Sequence, residues 1–303
     1  MSSFRNYVLS IYALQKKLRK DLADPAQIRA PGEVDLKSRA GSRTRQLIHL
    51  HQLGVIHALN YIQGAQIKNL QVCDAYLIML EQGNPHGMFL CARSLLEQAA
   101  NAYEIRERLR YVAEKHASAK WIDAGQEFIK LLKRARFSAS YQLTLDRLHR
   151  EGAGFPKSEL KPFNVMNCLK RLEQHGGFHE GALSRYAELC DMVHTNGSGH
   201  AVARSNQIYQ SRDKKRDYWI YRYPRVGVTE MVEKMTLEGA LRDFEFCVNT
   251  LKETPLSPFT QAQCHEITGH WQLPLPRSFA RGNDPCLCDS GQKLSQCCGR
   301  VEK

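Results

Sequence analysis

Long apolar runs are missing from this sequence. No stretch comes near the ~18 consecutive apolar residues that span a bilayer. Ala75 to Leu80 and Met88 to Ala92 are short pieces of core, and no membrane insertion is expected. Also missing are a glycine-rich phosphate loop, a nucleophile elbow and an HExxH pair. Their absence argues against nucleotide-driven motors and the common hydrolases. Gly197-Ser198-Gly199 follows a helical pattern, whereas a phosphate loop opens a helix after a strand. There is no internal repeat and no low-complexity tract. Near the start, apolar Tyr7 to Leu14 runs straight into Lys16, Lys17, Arg19 and Lys20, with no small-residue cleavage site. This reads as a helix, and the expected location is cytoplasmic.

What is present is length, an ordinary balance of residue types and positive charge. With 303 residues, 43% hydrophobic and 24% charged, the chain can build one large core or two ordinary ones, and wholesale disorder is excluded. Lysine and arginine number 43 against 31 acidic residues, a net charge of +12. Such an excess favours polyanionic partners: nucleic acid, the ribosome or an acidic protein. Basic residues gather at Arg39, Arg43 and Arg45, at Lys130 to Arg136, and at Arg212 to Arg216 ahead of the aromatic run Tyr218 to Tyr223. Interleaved arginine and tyrosine there suit stacking on single-stranded RNA, and equally a hairpin with its aromatics packed inward.

Helical spacing dominates the pattern. Phe4, Val8, Ile11, Leu14 and Leu18 mark a first helix to about Leu22, closed by Asp24-Pro25 and Pro31-Gly32. A second block runs from about Leu47 to Leu80, with a break expected at Gly64. Gly83-Asn84-Pro85 ends it, with Asn84 placed to cap the next helix and Pro85 at its first position. That helix reaches toward His116 along the seam Phe89, Ala92, Leu96, Ala99 and Tyr103. Further helices are expected at 121–137, 141–149, 163–175, 180–194 and 229–251, with a small hairpin at about 205–225. Pro255, Pro258, Pro274 and Pro276 make 253–280 read as a linker. The expected fold class is mainly α: a helical bundle over 1–252 with a small β-hairpin, then a linker, then a C-terminal zinc knuckle over 281–303.

Ten cysteines decide the last assignment. In a reducing compartment clustered cysteines suggest metal and scattered ones suggest core. Cys286, Cys288, Cys297 and Cys298 lie within thirteen residues. Four thiolates satisfy tetrahedral Zn²⁺ at about 2.3 Å and leave no open position for a substrate. A segment this short has no apolar core, so the metal would supply folding free energy on the order of 10 kcal/mol. Arg281, Lys293 and Arg300 are placed to offset the formal −2 of such a centre.

The string from Asn283 to Gly299 resembles the SEC-C zinc-binding motif, best known from the tail of the bacterial preprotein-translocase motor and appended to many unrelated bacterial proteins. The likeness rests on Asn283, Pro285, Cys286, Cys288, Ser290, Gly291, Lys293, Cys297, Cys298 and Gly299. It implies that the four cysteines hold one structural Zn²⁺ and that the module docks a protein or the ribosome. Asp289, Gln292 and Leu294 depart from the usual glycine, lysine and aromatic. The changes spare the ligands but alter the surface that would meet a partner.

The helical region offers further candidates. Arg93 and Glu97 are four apart and share a helix face, while Tyr186, Cys190 and His194 form a stripe on another helix. These segments resemble the RxxxE and Y…L…H helices of a bacterial helical family of unknown function. One reading is an intrahelical ion pair with a satisfied histidine. The other is a polar site in which His194 moves a proton while Arg93 and Glu97 orient it or a phosphate. Arg110 and His116 are similar to the Arg-x₄₋₆-His motif of HEPN ribonucleases, although Tyr111 stands where a polar residue is usual. The resemblance implies metal-independent RNA cleavage, with arginine on the phosphate and histidine on the 2′-hydroxyl, across a homodimer interface. Cys190, His194 and His200, and Cys264, His265 and His270, are incomplete metal sets. The leading expectation is a cytoplasmic bacterial zinc-binding interaction protein; its rival is a HEPN-like ribonuclease of toxin or phage-defence type.

Overall fold

A computed structural model describes residues 2–23, 42–136, 163–194, 205–210, 217–222 and 226–268. The helix expected at 141–149, the glycine cluster at 196–199 and the cysteine tail lie outside the described residues.

Helix is the dominant element. α1 spans Ser2–Ala23, α2 Ser42–Glu81, α3 Pro85–Glu114 and α4 Trp121–Arg136. α5 spans Val165–Gln174, α6 Ala182–Val193, α7 Val226–Lys252 and α8 Gln261–Thr268. Short 3₁₀ turns at Ser118–Lys120 and Gly177–His179 lead into α4 and α6. Strands β1, Ser205–Gln210, and β2, Asp217–Arg222, pair antiparallel with Ser205 opposite Arg222.

Local chemistry explains the boundaries. α2 ends in a left-handed Gly83 (φ +63°), whose N–H bonds Leu80 O at 3.1 Å while Asn84 N–H bonds Met79 O at 2.8 Å. This pair of bonds is a Schellman closure. Asn84 then turns round as a cap, its Oδ1 accepting from Gly87 N at 3.0 Å, with Pro85 in the first turn, where a missing N–H costs nothing. Asn164 caps α5 in the same way, accepting from Met166 N at 2.9 Å and Asn167 N at 3.3 Å.

Two expectations need correction. α2 does not break at Gly64 but continues for 40 residues. Nothing lies within 4 Å of where a Gly64 Cβ would stand, so the residue sits on an open face and adds only the ~1 kcal/mol helix penalty of glycine. The stretch from 253 to 268 is not a linker either. It is packed and ends in a helix whose first turn carries a reciprocal cap: Gln263 N donates to Thr260 Oγ1 at 3.3 Å and Thr260 N to Gln263 Oε1 at 2.9 Å.

The chain divides into two compact units. The first takes residues 1–12, 66–103 and 164–250. Its core includes Tyr76, Phe89, Leu96, Leu169, Leu172, Phe244 and Val248, none more than 1% exposed. Buried polar bonds tie its helices together: Asn69 Nδ2 donates to Phe244 O at 3.1 Å, and Tyr76 Oη meets Thr236 Oγ1 at 2.8 Å. Because Thr236 Oγ1 already donates to Val232 O, Tyr76 is the donor in that pair.

The second unit takes 13–65, 104–163 and 251–303. Its described core includes Leu18, Val55, Ala58, Leu109, Phe128 and Leu132. Leu47, Trp121 and Phe259 form a further buried cluster, with Ile122, Cys264 and Ile267 packed against it.

Candidate functional site

Within the first unit, Arg93 and Glu97 stand one turn apart on α3 and meet Tyr186 of α6. Arg93 Nε donates to Glu97 Oε1 at 3.0 Å, and Arg93 Nη2 donates to Tyr186 Oη at 3.1 Å. Tyr186 Oη donates in turn to the same Glu97 oxygen at 3.0 Å. The result is a closed triangle of cation, anion and phenol. Burial, reinforced by the bond to Glu97, pushes the Tyr186 phenol up to about 12, so it remains a donor at neutral pH. All three groups are engaged with one another, and the arrangement braces α3 against α6.

His194 lies elsewhere. It is exposed and closes α6 with extended backbone, its N–H bonding Cys190 O. Eight residues separate it from Tyr186, which is about 12 Å along a helix axis. Among the described residues no hydrogen bond or ion pair joins His194 to Arg93 or Glu97.

Arg110 and His116 belong to the second unit. The Arg110 guanidinium is 3.8 Å from Glu107 and 3.6 Å from Glu114, two carboxylates that a phosphate would have to displace. His116 is half-buried beyond the end of α3, and its carbonyl accepts from Trp121 Nε1 at 3.3 Å.

Sequence reasoning passed over a third polar group, in the first unit. Asp243 of α7 is 2% exposed and accepts from Arg185 Nη2 at 2.8 Å. His179 Nε2 lies 3.5 Å from the same carboxylate oxygen, and the His179 ring packs 4.3 Å from Phe246. Arg185 reaches Asp243 past Gly239, where a Cβ would come within 3.2 Å of its Nη1. Arg185 and Arg242 both stack on Phe178, at 4.8 and 4.7 Å. The sequence signal was His175-Gly176-Gly177-Phe178-His179. Its two glycines take φ of +76° and +60°, a region where L side chains are strained. The adjacent Cys247 is inert, because burial, with Asp243 beside it, pushes the thiol up to about 12.

Cys73, Cys168 and Cys247 are buried, and Cys91, Cys190 and Cys264 half-buried, none of them in a disulfide. Cys73, Cys168 and Cys247 belong to the core. Among the described residues no group of three or more His, Cys, Asp or Glu side chains is placed to hold a metal ion. Cys286, Cys288, Cys297 and Cys298 lie outside the described residues, as do His200 and His270.

Comparison with known proteins identifies one segment. Residues 283–300 match the family model of the SEC-C motif. No curated protein and no solved structure matches the chain.

Proposed function

We propose that this chain is a zinc-binding interaction protein of the bacterial cytoplasm, a helical body carrying a small docking module at residues 283–300. The match to the SEC-C motif carries the reading. The donor set suits the metal: Cys286, Cys288, Cys297 and Cys298 supply four thiolates, a complete tetrahedral shell for one structural Zn²⁺ with no position left for catalysis. The partner is a protein or the ribosome, met by the module and its basic neighbours Arg281, Lys293 and Arg300. The net charge of +12 over the whole chain favours a polyanionic surface such as ribosomal RNA. Among the described residues no helix is long and apolar enough to cross a membrane.

Two measurements test this. Elemental analysis of the purified chain should find about one zinc per molecule, lost in Cys297→Ser. Sedimentation with purified ribosomes at graded salt should then show wild type in the pellet and Cys297→Ser in the supernatant. A zinc-free wild type refutes the metal assignment, and equal sedimentation of the two refutes docking through the module. The ribonuclease rival has its own test. RNA should stay intact with wild type in chelator-containing buffer; cleavage abolished by His194→Ala or His116→Ala would put the rival in place of this reading.

A further inference from the structure

The segment after α7 packs within the second unit, and one of its contacts there is a buried polar pair. His51 of α2 is 3% exposed, and its Nδ1 lies 2.7 Å from Ser257 Oγ. Ser257 Oγ also accepts from Phe259 N at 3.0 Å, a serine turn that points Phe259 into the cluster with Leu47 and Trp121. Beside this contact Pro258 fits against Gly54, one turn along α2 from Leu50 and His51: a Gly54 Cβ would stand 2.6 Å from the proline Cδ. The other ring nitrogen, His51 Nε2, is buried and has no hydrogen-bond partner among the described residues.

This geometry tolerates a neutral imidazole and opposes a charged one. A neutral ring bonds Ser257 through Nδ1 in either tautomer and leaves Nε2 as a single unmet group. A protonated ring needs two acceptors and carries a buried charge, which is far more costly. Among the described residues no ion pair or hydrogen bond brings a compensating charge to the ring. α4 faces this region with Gly125 and Phe128, against Leu50 and Gly54, while its carboxylates Asp123 and Glu127 are exposed. On the returning segment Glu253 is held by Arg106 at 2.7 Å, and the Cys264 thiol of α8 engages Ser257. Along α2 the closest titratable residue in sequence is His49. Burial alone pushes the His51 imidazole down to about 4.

We propose that residues 253–268 form a strap that His51 holds to the second unit while neutral and releases when protonated. The strap is the chain's route to residues 283–300. Its release turns these 16 residues into extendable chain, up to about 50 Å of contour. Acidification thus extends the reach of the C-terminal segment without unfolding the helical core. The inference stands without the zinc reading, since it concerns only His51 and the strap.

Backbone hydrogen exchange on the full chain, corrected for intrinsic rates, tests it between pH 7.5 and 4.5, with and without chelator. Protection of Gln261–Thr268 should fall by up to tenfold per pH unit below about 6.5 and level off near 4. Peptides from the middle of α3 should keep theirs. His51→Asn places an amide where Nδ1 stood and cannot titrate, so it should hold the strap at every pH. A strap whose protection does not change with pH in wild type, or falls equally in His51→Asn, overturns the proposal. So does a His51 imidazole found by NMR to titrate at 6.5 or above in the folded protein, a measurement that needs no variant. A fall seen only with chelator would trace to metal loss and overturn it too.

Discussion

The Tyr186 hydroxyl donates to Glu97 across 3.0 Å, linking residues 89 positions apart. The same oxygen receives Arg93 from α3. Removing the hydroxyl leaves the Arg93–Glu97 pair in place and deletes only the bonds that cross between helices. Tyr186→Phe should therefore cost about 1–2 kcal/mol, measured by urea denaturation. Loss of ligand binding or activity with stability unchanged would mean that the triangle is a site and not a brace.

Two glycines of α2 should respond to alanine with opposite signs. Gly64 has nothing within 4 Å of a new Cβ, so Gly64→Ala should stabilise by about 0.5–1 kcal/mol through the lower entropy of the unfolded chain. Gly54 would place its Cβ 2.6 Å from a ring carbon of Pro258, and a proline ring cannot swing aside. Gly54→Ala should destabilise by about 1–3 kcal/mol. Thermal melts of the two variants side by side check the contrast.

Stability should depend on pH through His51. Its folded value is about 4 against an ordinary value near 6.5, so between these limits the unfolded chain binds the extra proton. Stability should be full above about pH 6.5, fall as pH drops through the window, and level off near pH 4, with a loss of roughly 3 kcal/mol at most. Urea midpoints at pH 7.5, 6.0 and 4.5 read this out, and His51→Asn should remove the part of the slope due to His51.

The two classes of cysteine should separate cleanly. Cys73 is fully buried in the first unit, so Cys73→Ser replaces a buried thiol by a smaller, more strongly hydrated hydroxyl and should cost about 1–3 kcal/mol, with zinc content unchanged. Cys297→Ser should do the reverse: zinc is lost and the midpoint of the helical transition holds. Metal analysis and circular dichroism on both variants check the pair.

Much of the helical layout was legible because its signals are local. The three-then-four spacing of Phe89, Ala92, Leu96, Ala99 and Tyr103 marks the buried face of α3, and those alanines and Leu96 are at most 3% exposed. Gly83-Asn84-Pro85 announced a stop and a start, and both occur there. Within the expected linker 253–280, the described part, 253–268, is packed, because Pro255 and Pro258 do not by themselves keep a segment open. Thr260-x-x-Gln263 is itself a helix-start signature, and Phe259 was an apolar residue with a core to join.

Sequence by itself determined the periodic faces, the caps and the cysteine signature at 283–300, because each depends on residues within a few positions of one another. Only the tertiary structure decided which faces meet. It alone brought His51 to Ser257 across 206 positions, and Asp243 to Arg185 across 58. Periodicity tells a side chain which way to point and not what it will find there. The partner is chosen by the summed packing of whole helices, a quantity no local pattern contains.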